Sequence, residues 1–445
     1  MYCMSATRLE KLRKISPLVI GDIMLDRFIY GKVERISPEA PVPIFKYDHE
    51  KEMLGGAGNV VANITSLGCK CDFLGVIGND AEGRKISSLL KKIGVHSHLL
   101  RLNDYPTIVK ARLIAGNNHI VRVDHEKNLP IIANVLDRFE SILSKAIRSA
   151  DVVLLSDYNK GILTKETTQM IISICRRLNK PVIADPKGLD YSKYRGATLI
   201  KPNLKEFGEA TGRKYSPKSA TFHEEVTEGA LRLMEEHDID NLIVTLSEYG
   251  MLHISRSEKK VNHIFTEARE VYDVSGAGDT TLATLGMAIG SGMPIKDAMV
   301  LANRASGIVV GKLGTATVSF EELRAACSGT GRTGNRDSLL KDDELKTVIG
   351  RARAQNRTVK VVYGDFRKFG AAEIEKLNDI KSGCDSLFTV ISGNGAECEL
   401  ARAVLCNHIA VDGVAVCVDA EVWLKEHLAE LKLQQGDIVA LDSVI

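Results

Sequence analysis

A chain of 445 residues has length for two or three domains with sizeable cores, and 44% hydrophobic with 26% charged residues is ordinary for a soluble globular protein. A formal net charge of +2 gives no general pull toward nucleic acid or an anionic membrane, and 5% aromatic residues with no basic run interleaved among them argue against a single-strand binding surface. The nine cysteines are scattered, and the closest pair, Cys69 and Cys71, is too tightly spaced for a zinc knuckle, so both read as small buried hydrophobes facing one side of a strand.

In chain order, Arg8, Lys11, Arg13 and Lys14 precede only a short apolar run, Leu18 to Ile20. That is no signal or membrane span, and a reducing, cytoplasmic setting is expected. Residues 17–22 read as a buried strand ending in Gly21 and Asp22. Extended pieces at 26–30 and 41–47 flank the proline-marked stretch 36–41, a small excursion outside the main sheet. Gly55, Gly56, Ala57, Gly58 and Asn59 then open a helix with Val60, Ile64 and Leu67 on its apolar face.

A strand at 73–77, a helix at 81–93 and a strand at 96–101 follow. Residues 106–115 and 119–123 are rich in β-branched residues and pair as a hairpin across Gly116, Asn117 and Asn118. Helix 131–148, strand 151–155, helix 164–178 and strand 182–184 continue the alternation. Such a rhythm argues for an α/β fold, a doubly wound and mostly parallel sheet with helices on both faces. Ligands of such sheets bind beyond the carboxyl ends of the strands. The polar residues there are Ser156, Asp157, Tyr158 and Lys160; Asp185 and Lys187; Lys201, Asn203 and Glu206; Ser247 and Gly250.

The stretch from Val271 to Thr280 carries the chemistry. It runs from an apolar segment through Asp273, Gly276, Ala277, Gly278 and Asp279 into a helix marked by Leu282, Leu285 and Ile289. Unpaired N–H groups and the helix dipole make such a start an anion seat. Asp279 stands where a bound phosphate wants positive partners, which makes sense if it takes a proton from a hydroxyl that attacks phosphorus. A carboxylate that merely complements the dipole is the plainer alternative. Neither rival phosphate motif fits: Gly78 to Gly83 is followed by Arg84, and Thr281 stands where a dinucleotide fingerprint needs its third glycine.

Glycines 329, 331 and 334 break the pattern, and 327–344 reads as a linker between a first domain, 1–326, and a second, 345–445. There the rhythm restarts with strands at 359–362, 387–391, 414–418 and 438–441 and helices at 371–380, 400–404 and 421–431: a second, smaller Rossmann-like α/β domain.

Gly55, Gly56 and Asn59 with Leu67 and Gly68, and Asp273 with Gly276 to Asp279, resemble the ribokinase (PfkB) family of sugar and nucleoside kinases. Further runs resemble its two-domain heptose 7-phosphate kinase and ADP-heptose synthase branch, which serves bacterial lipopolysaccharide precursor synthesis. They are Gly21 and Asp22, Met24 to Arg27, Arg35 to Pro43, Leu155 to Tyr158, Asp185 to Gly188, Tyr194 to Thr198 and Val309 to Gly314. The resemblance implies a ribokinase-like fold with a small β lid near 26–47 and 106–123.

It also implies Asp279 as catalytic base and Gly276, Ala277 and Gly278 as an anion hole; an ordinary carboxylate pKa near 4 is adequate for the base, which needs only to be ionised at neutral pH. Asn203 and Glu206 would organise Mg2+ and the ATP phosphates, with Lys187, Thr245, Ser247, Gly250 and Asp273 near the nucleotide. Asp22, Gly55, Gly56 and Asn59 would hold sugar hydroxyls, and Arg35, Lys110, Arg112, Arg122 and Lys160 are the candidate clamp for the sugar's phosphate. The implied reaction is ATP-dependent phosphorylation of the anomeric hydroxyl of a heptose 7-phosphate by a homodimer paired through its lid. Another sugar or nucleoside as acceptor, or a non-catalytic binding protein, are the alternatives.

The second domain departs from its relatives. Gly370, Ala371, Ala372 and Glu373 stand where the nucleotidyltransferase H-x-G-H motif belongs, and Glu373 would repel a triphosphate. The terminal serine and threonine signature is also missing from Leu441 to Ile445. No adenylyltransferase activity is expected.

Overall fold

The computed structural model describes residues 6–116, 118–127, 133–219, 221–259, 261–266, 274–312, 316–328, 339–340, 345–346, 349–350, 353, 358–364, 371–392, 413–417, 419–427 and 437–440. The chain divides into two compact units, Tyr2–Ser328 and Gly329–Ile445.

In the first unit, α1 (Ala6–Leu12) precedes β1 (Pro17–Gly21), which is buried throughout. β2 (Ile23–Ile36) and β3 (Pro43–Gly56) form a long antiparallel hairpin, and α2 (Ala57–Ser66) leaves its end. Then come β4 (Asp72–Gly78), α3 (Ala81–Lys92), β5 (His96–Leu102), β6 (Val109–Ala115), β7 (Asn118–His125), α4 (Ala133–Ser149), β8 (Val152–Ser156), α5 (Lys165–Arg177), β9 (Val182–Asp185) and β10 (Leu199–Ile200). α6 (Leu204–Thr211), α7 (Phe222–His237), β11 (Asn241–Thr245), β12 (Met251–Ser255), β13 (Val261–Ile264), α8 (Ala277–Gly290), α9 (Ile295–Val310) and α10 (Phe320–Ser328) complete it.

Nine strands form one sheet in the order β13-β12-β11-β10-β9-β8-β1-β4-β5, parallel from β11 to β5, with β12 and β13 antiparallel at one edge. Because successive side chains of a strand face opposite ways, Val19 and Leu154 join a core with α2, α8 and α9, while Leu18, Ile20 and Leu155 join one with α4, α5 and α7. The expected doubly wound sheet is present.

The lid is a second sheet in the order β3-β2-β6-β7. It is larger than the pieces at 26–47 and 106–123: β2 begins at Ile23 and β3 runs on to Gly56, so Gly55 and Gly56 close a strand before the helix starts at Ala57. A Cβ on Gly55 would meet the Asp26 carboxylate at 2.3 Å, and one on Gly56, at φ 57°, would meet the Asp22 carbonyl at 2.5 Å. These glycines make room for protein atoms. Cys69 and Cys71 are buried as expected, but in the turn before β4 instead of along a strand.

The second unit holds a parallel sheet in the order β14 (Leu339–Leu340), β17 (Gly413–Cys417), β16 (Ser386–Ser392), β15 (Val359–Gly364), β18 (Ile438–Ala440). Helices α11 (Ala371–Ser382) and α12 (Ala420–His427) accompany it, and Leu345, Ile349, Val361, Phe388, Val390 and Leu424 form its core. Leu339–Leu340 falls within the stretch read as linker, yet pairs with β17; two residues are too few to show a strand's period. The helix expected at 400–404 lies outside the described residues. No helix among the described residues is long and apolar enough to cross a membrane.

Candidate active site

Gly276, in the left-handed region at φ 84°, caps α8 and places Asp279 in its first turn. The carboxylate is buried, and it is held from two sides: Asn59 of α2 donates from Nδ2 to Oδ2 at 2.8 Å, and the Tyr158 hydroxyl donates to Oδ1 at 2.8 Å. Asn63 of α2 donates to the Asn59 carbonyl and accepts from Thr280 Oγ1 at 3.0 Å, tying the two helix starts together. The two glycine-rich starts thus converge on one carboxylate. Burial raises the Asp279 pKa above the ordinary value, opposed by the Asn59 and Tyr158 hydrogen bonds and the Lys201 charge. An ordinary pKa near 4 is adequate for the base, but in this fold desolvation outweighs the polar partners.

The Ala277 N–H is already donated to the Val274 carbonyl at 3.2 Å. Gly278 faces open space, where an added Cβ would meet only Lys201 Nζ, at 3.9 Å. An anion approaching the first turn of α8 at Gly278 would meet backbone N–H groups that have no intrahelical carbonyl, and a buried ammonium. Asp273 lies outside the described residues.

Lys201 also pairs with Asp185 at 3.0 Å. Asp185 is pushed up to about 7, first by burial and then by the neighbouring Glu206 and Asp279 charges, against the pull of Lys201. Glu206 and Asn203 form a reciprocal capping box on α6: Asn203 Oδ1 accepts from Glu206 N at 2.9 Å, and Glu206 Oε2 from Asn203 N at 3.0 Å. Lys187 Nζ reaches Glu206 Oε1 at 2.8 Å. Asn203 bridges to Thr245 at the end of β11, where Ser247 and Gly250 turn the chain into β12. These residues share the carboxyl ends of neighbouring parallel strands, β9, β10 and β11.

Asp22, expected to hold sugar hydroxyls, faces backbone N–H groups. Its Oδ2 accepts the Tyr158 and Lys160 N–H groups at 3.0 Å each and its Oδ1 the Ile162 N–H at 3.4 Å, so it organises the loop after β8. Burial, with Asp157 nearby, raises its pKa to about 6. Asp157 in turn is held by Lys193 Nζ at 2.5 Å and the Tyr194 hydroxyl at 2.6 Å. This scaffold fixes the loop that carries Tyr158.

The candidate phosphate clamp splits. Lys110 and Lys160 converge on Glu126, at 3.1 and 2.7 Å, and Lys110 also reaches Asp124 at 3.0 Å. Arg112 pairs with Asp26 at 2.5 Å and covers the Phe28 ring. Arg122 is an exposed partner of Asp124, and Arg35 is exposed at the far end of β2. Sequence reasoning quoted Asp26 only within the run Met24 to Arg27 and gave it no role of its own. Nor did it assign Tyr158 to Asp279.

A carboxylate in the first turn of a glycine-started helix, at the carboxyl end of a parallel sheet and beside a β lid, defines an α/β phosphotransferase. The family model for pfkB family carbohydrate kinases matches residues 15–322. The chain is 37% identical over 384 residues to the protein named Bifunctional protein HldE of Pasteurella multocida, covering 86% of this chain and 78% of that one. It is 40% identical over 451 residues to the protein of that name in Mesorhizobium japonicum, covering 97% and 88%. Arabidopsis thaliana ribokinase, solved with ribose and ATP, matches the fold with a TM-score of 0.57 at 19% identity over 70% of this chain and 98% of its own. The protein belongs to the pfkB family of carbohydrate kinases.

Proposed function

We propose that the protein transfers the γ-phosphoryl group of ATP to the anomeric hydroxyl of D-glycero-D-manno-heptose 7-phosphate, giving the 1,7-bisphosphate used in ADP-heptose and lipopolysaccharide precursor synthesis. The observation that carries the transfer is Asp279, buried, doubly hydrogen-bonded and set at a helix N-terminus. The acceptor hydroxyl gives its proton to Asp279 as its oxygen bonds to the γ-phosphorus; the bond from that phosphorus to the bridging oxygen breaks and ADP leaves. The first turn of α8 and Lys201 stabilise charge on the transferred group. The phenol of Tyr158, whose own pKa is pushed well up by burial, stays protonated and orients the carboxylate.

The sugar's identity is supported by the motif runs quoted above and by the two lysines that bracket Glu126. A phosphate at that position would find the same cations that now hold a carboxylate.

The residues present fit Mg2+. The carboxyl groups of Asp185, Glu206 and Asp279 outnumber the ammonium groups of Lys187 and Lys201 beside them, a local surplus of negative charge of the kind a divalent cation neutralises. Asn203 and Glu206 would hold the ion through its waters, and the ion would supply positive charge to the ATP phosphates.

For residues 345–445 our reading is that adenylyl transfer is absent, because the histidines of the phosphate-binding motif are missing. Incubating the purified chain with heptose 1-phosphate and ATP should yield no ADP-heptose; product formation would reverse this reading. The homodimer reading is supported by the exposed Tyr47, Val121 and Val123 of the lid sheet.

The deciding experiment is ATP consumption across a panel of sugars, sugar phosphates and nucleosides. Heptose 7-phosphate should give the highest kcat/KM. A higher value for a simple sugar or nucleoside would overturn the acceptor, and no turnover with any would overturn the kinase.

A further inference from the structure

We propose that Asp72, His96 and His98 form a site for a divalent transition ion of the zinc type, clipping the edge strand β5 to β4. The strands are parallel, with Asp72 in register with His96 and Leu74 with His98. A strand's period of two puts His96 and His98 on one face, and the register sets Asp72 beside them. One ligand atom from each of the three lies within 4.8 Å of the others.

The plain alternative is a surface ion pair, and it accounts for only half of the cluster. His96 Nδ1 lies 3.2 Å from Asp72 Oδ1, an ordinary hydrogen bond. His98 Nε2 stands 3.7 Å from Asp72 Oδ2, too far for one, and is buried without a hydrogen-bond partner. A buried imidazole nitrogen left without a partner needs an explanation, and a bound cation supplies it. The imidazole rings meet edge to face with centroids 4.5 Å apart, so their nitrogens can turn toward one point without stacking.

Donor chemistry selects the ion. Two imidazoles and a carboxylate are a tetrahedral zinc set with one position left for water, whereas Mg2+ and Ca2+ prefer oxygen donors. The exposed His96 leaves an entry path. Asp72 opens β4, so the cluster lies at the amino ends of the parallel strands, opposite the carboxyl ends that carry Asp185 and Lys201. Its role is therefore structural. β5 is the last strand of the nine, and an ion shared by two strands holds that edge in register.

The test uses the full chain, stripped of metal and kept in excess Mg2+ so that the active site does not compete. Titration with Zn2+ should show one equivalent bound and a raised Tm, and Co2+ in its place should give the visible spectrum of a four-coordinate ion. His98→Ala and the exposed, fold-sparing His96→Gln should each weaken binding at least about tenfold and abolish the Tm rise. His49→Ala, which removes an exposed lid histidine ion-paired with Asp48, should bind as wild type. Absence of binding by the wild type, or unchanged binding by both His96→Gln and His98→Ala, would overturn the site.

Discussion

Tyr158 donates its hydroxyl hydrogen to Asp279 across 2.8 Å, although the two stand 121 positions apart in the chain. The loop carrying Tyr158 is itself fixed by the Asp22 carboxylate, which accepts its backbone N–H groups. The orientation of the base thus depends on a second, fully engaged carboxylate.

Replacing the base should separate chemistry from binding. Asp279→Asn keeps the shape and the hydrogen-bonding reach but cannot accept the proton, so kcat should fall by about 10²- to 10⁴-fold while ATP binding persists. Steady-state kinetics with a direct nucleotide-binding measurement checks this, and near-normal turnover would remove Asp279 from the mechanism.

Tyr158→Phe should change the pH profile. The phenol's hydrogen bond favours the ionised carboxylate and so lowers the Asp279 pKa, while burial raises it. Without the phenol the pKa rises further, the base stays protonated to higher pH, and the acid limb of kcat/KM moves toward alkaline pH. Activity lost at pH 6 should then recover in part at pH 8.5; a limb that stays put or moves to lower pH would contradict this geometry.

Lys160→Ala and Lys110→Met should each raise KM for heptose 7-phosphate by about 10- to 100-fold, the size of a lost charge-assisted hydrogen bond. Their KM for unphosphorylated heptose should not change. Arg112→Ala provides the comparison: it removes the partner of the buried Asp26 and should lower activity on both sugars. If both lysine variants keep the wild-type preference, the sugar's phosphate is held elsewhere.

Light scattering of the wild type should give twice the 48.6 kDa chain mass. Val121 and Val123 share one face of β7 and are exposed. Replacing both with Lys should leave a monomer, and an unchanged mass would place the interface away from the lid.

Much of this arrangement is legible in the sequence because its signals are local. The spacing of Asn203 and Glu206 is that of a capping box, and the structure shows one. The glycines before Asp279 mark a helix start, and α8 begins at Ala277. The β–α rhythm gives the parallel sheet because each strand and helix carries its own period. Gly55 and Gly56 were legible as a special backbone but not in purpose: what they admit, the Asp26 side chain and the Asp22 carbonyl, lies on β2 and just before it.

The sequence by itself determined the element order, the glycine-started helices and the carboxylate at one of them, since propensity, capping and period act over a few residues. Only the tertiary structure decided that Asn59 and Tyr158 grip Asp279, that Asp22 faces backbone N–H groups, and that Lys110 and Lys160 share Glu126. It also decided that burial lifts the base's pKa. Desolvation and pairing depend on which distant segments the sheet brings side by side, and no local pattern encodes that.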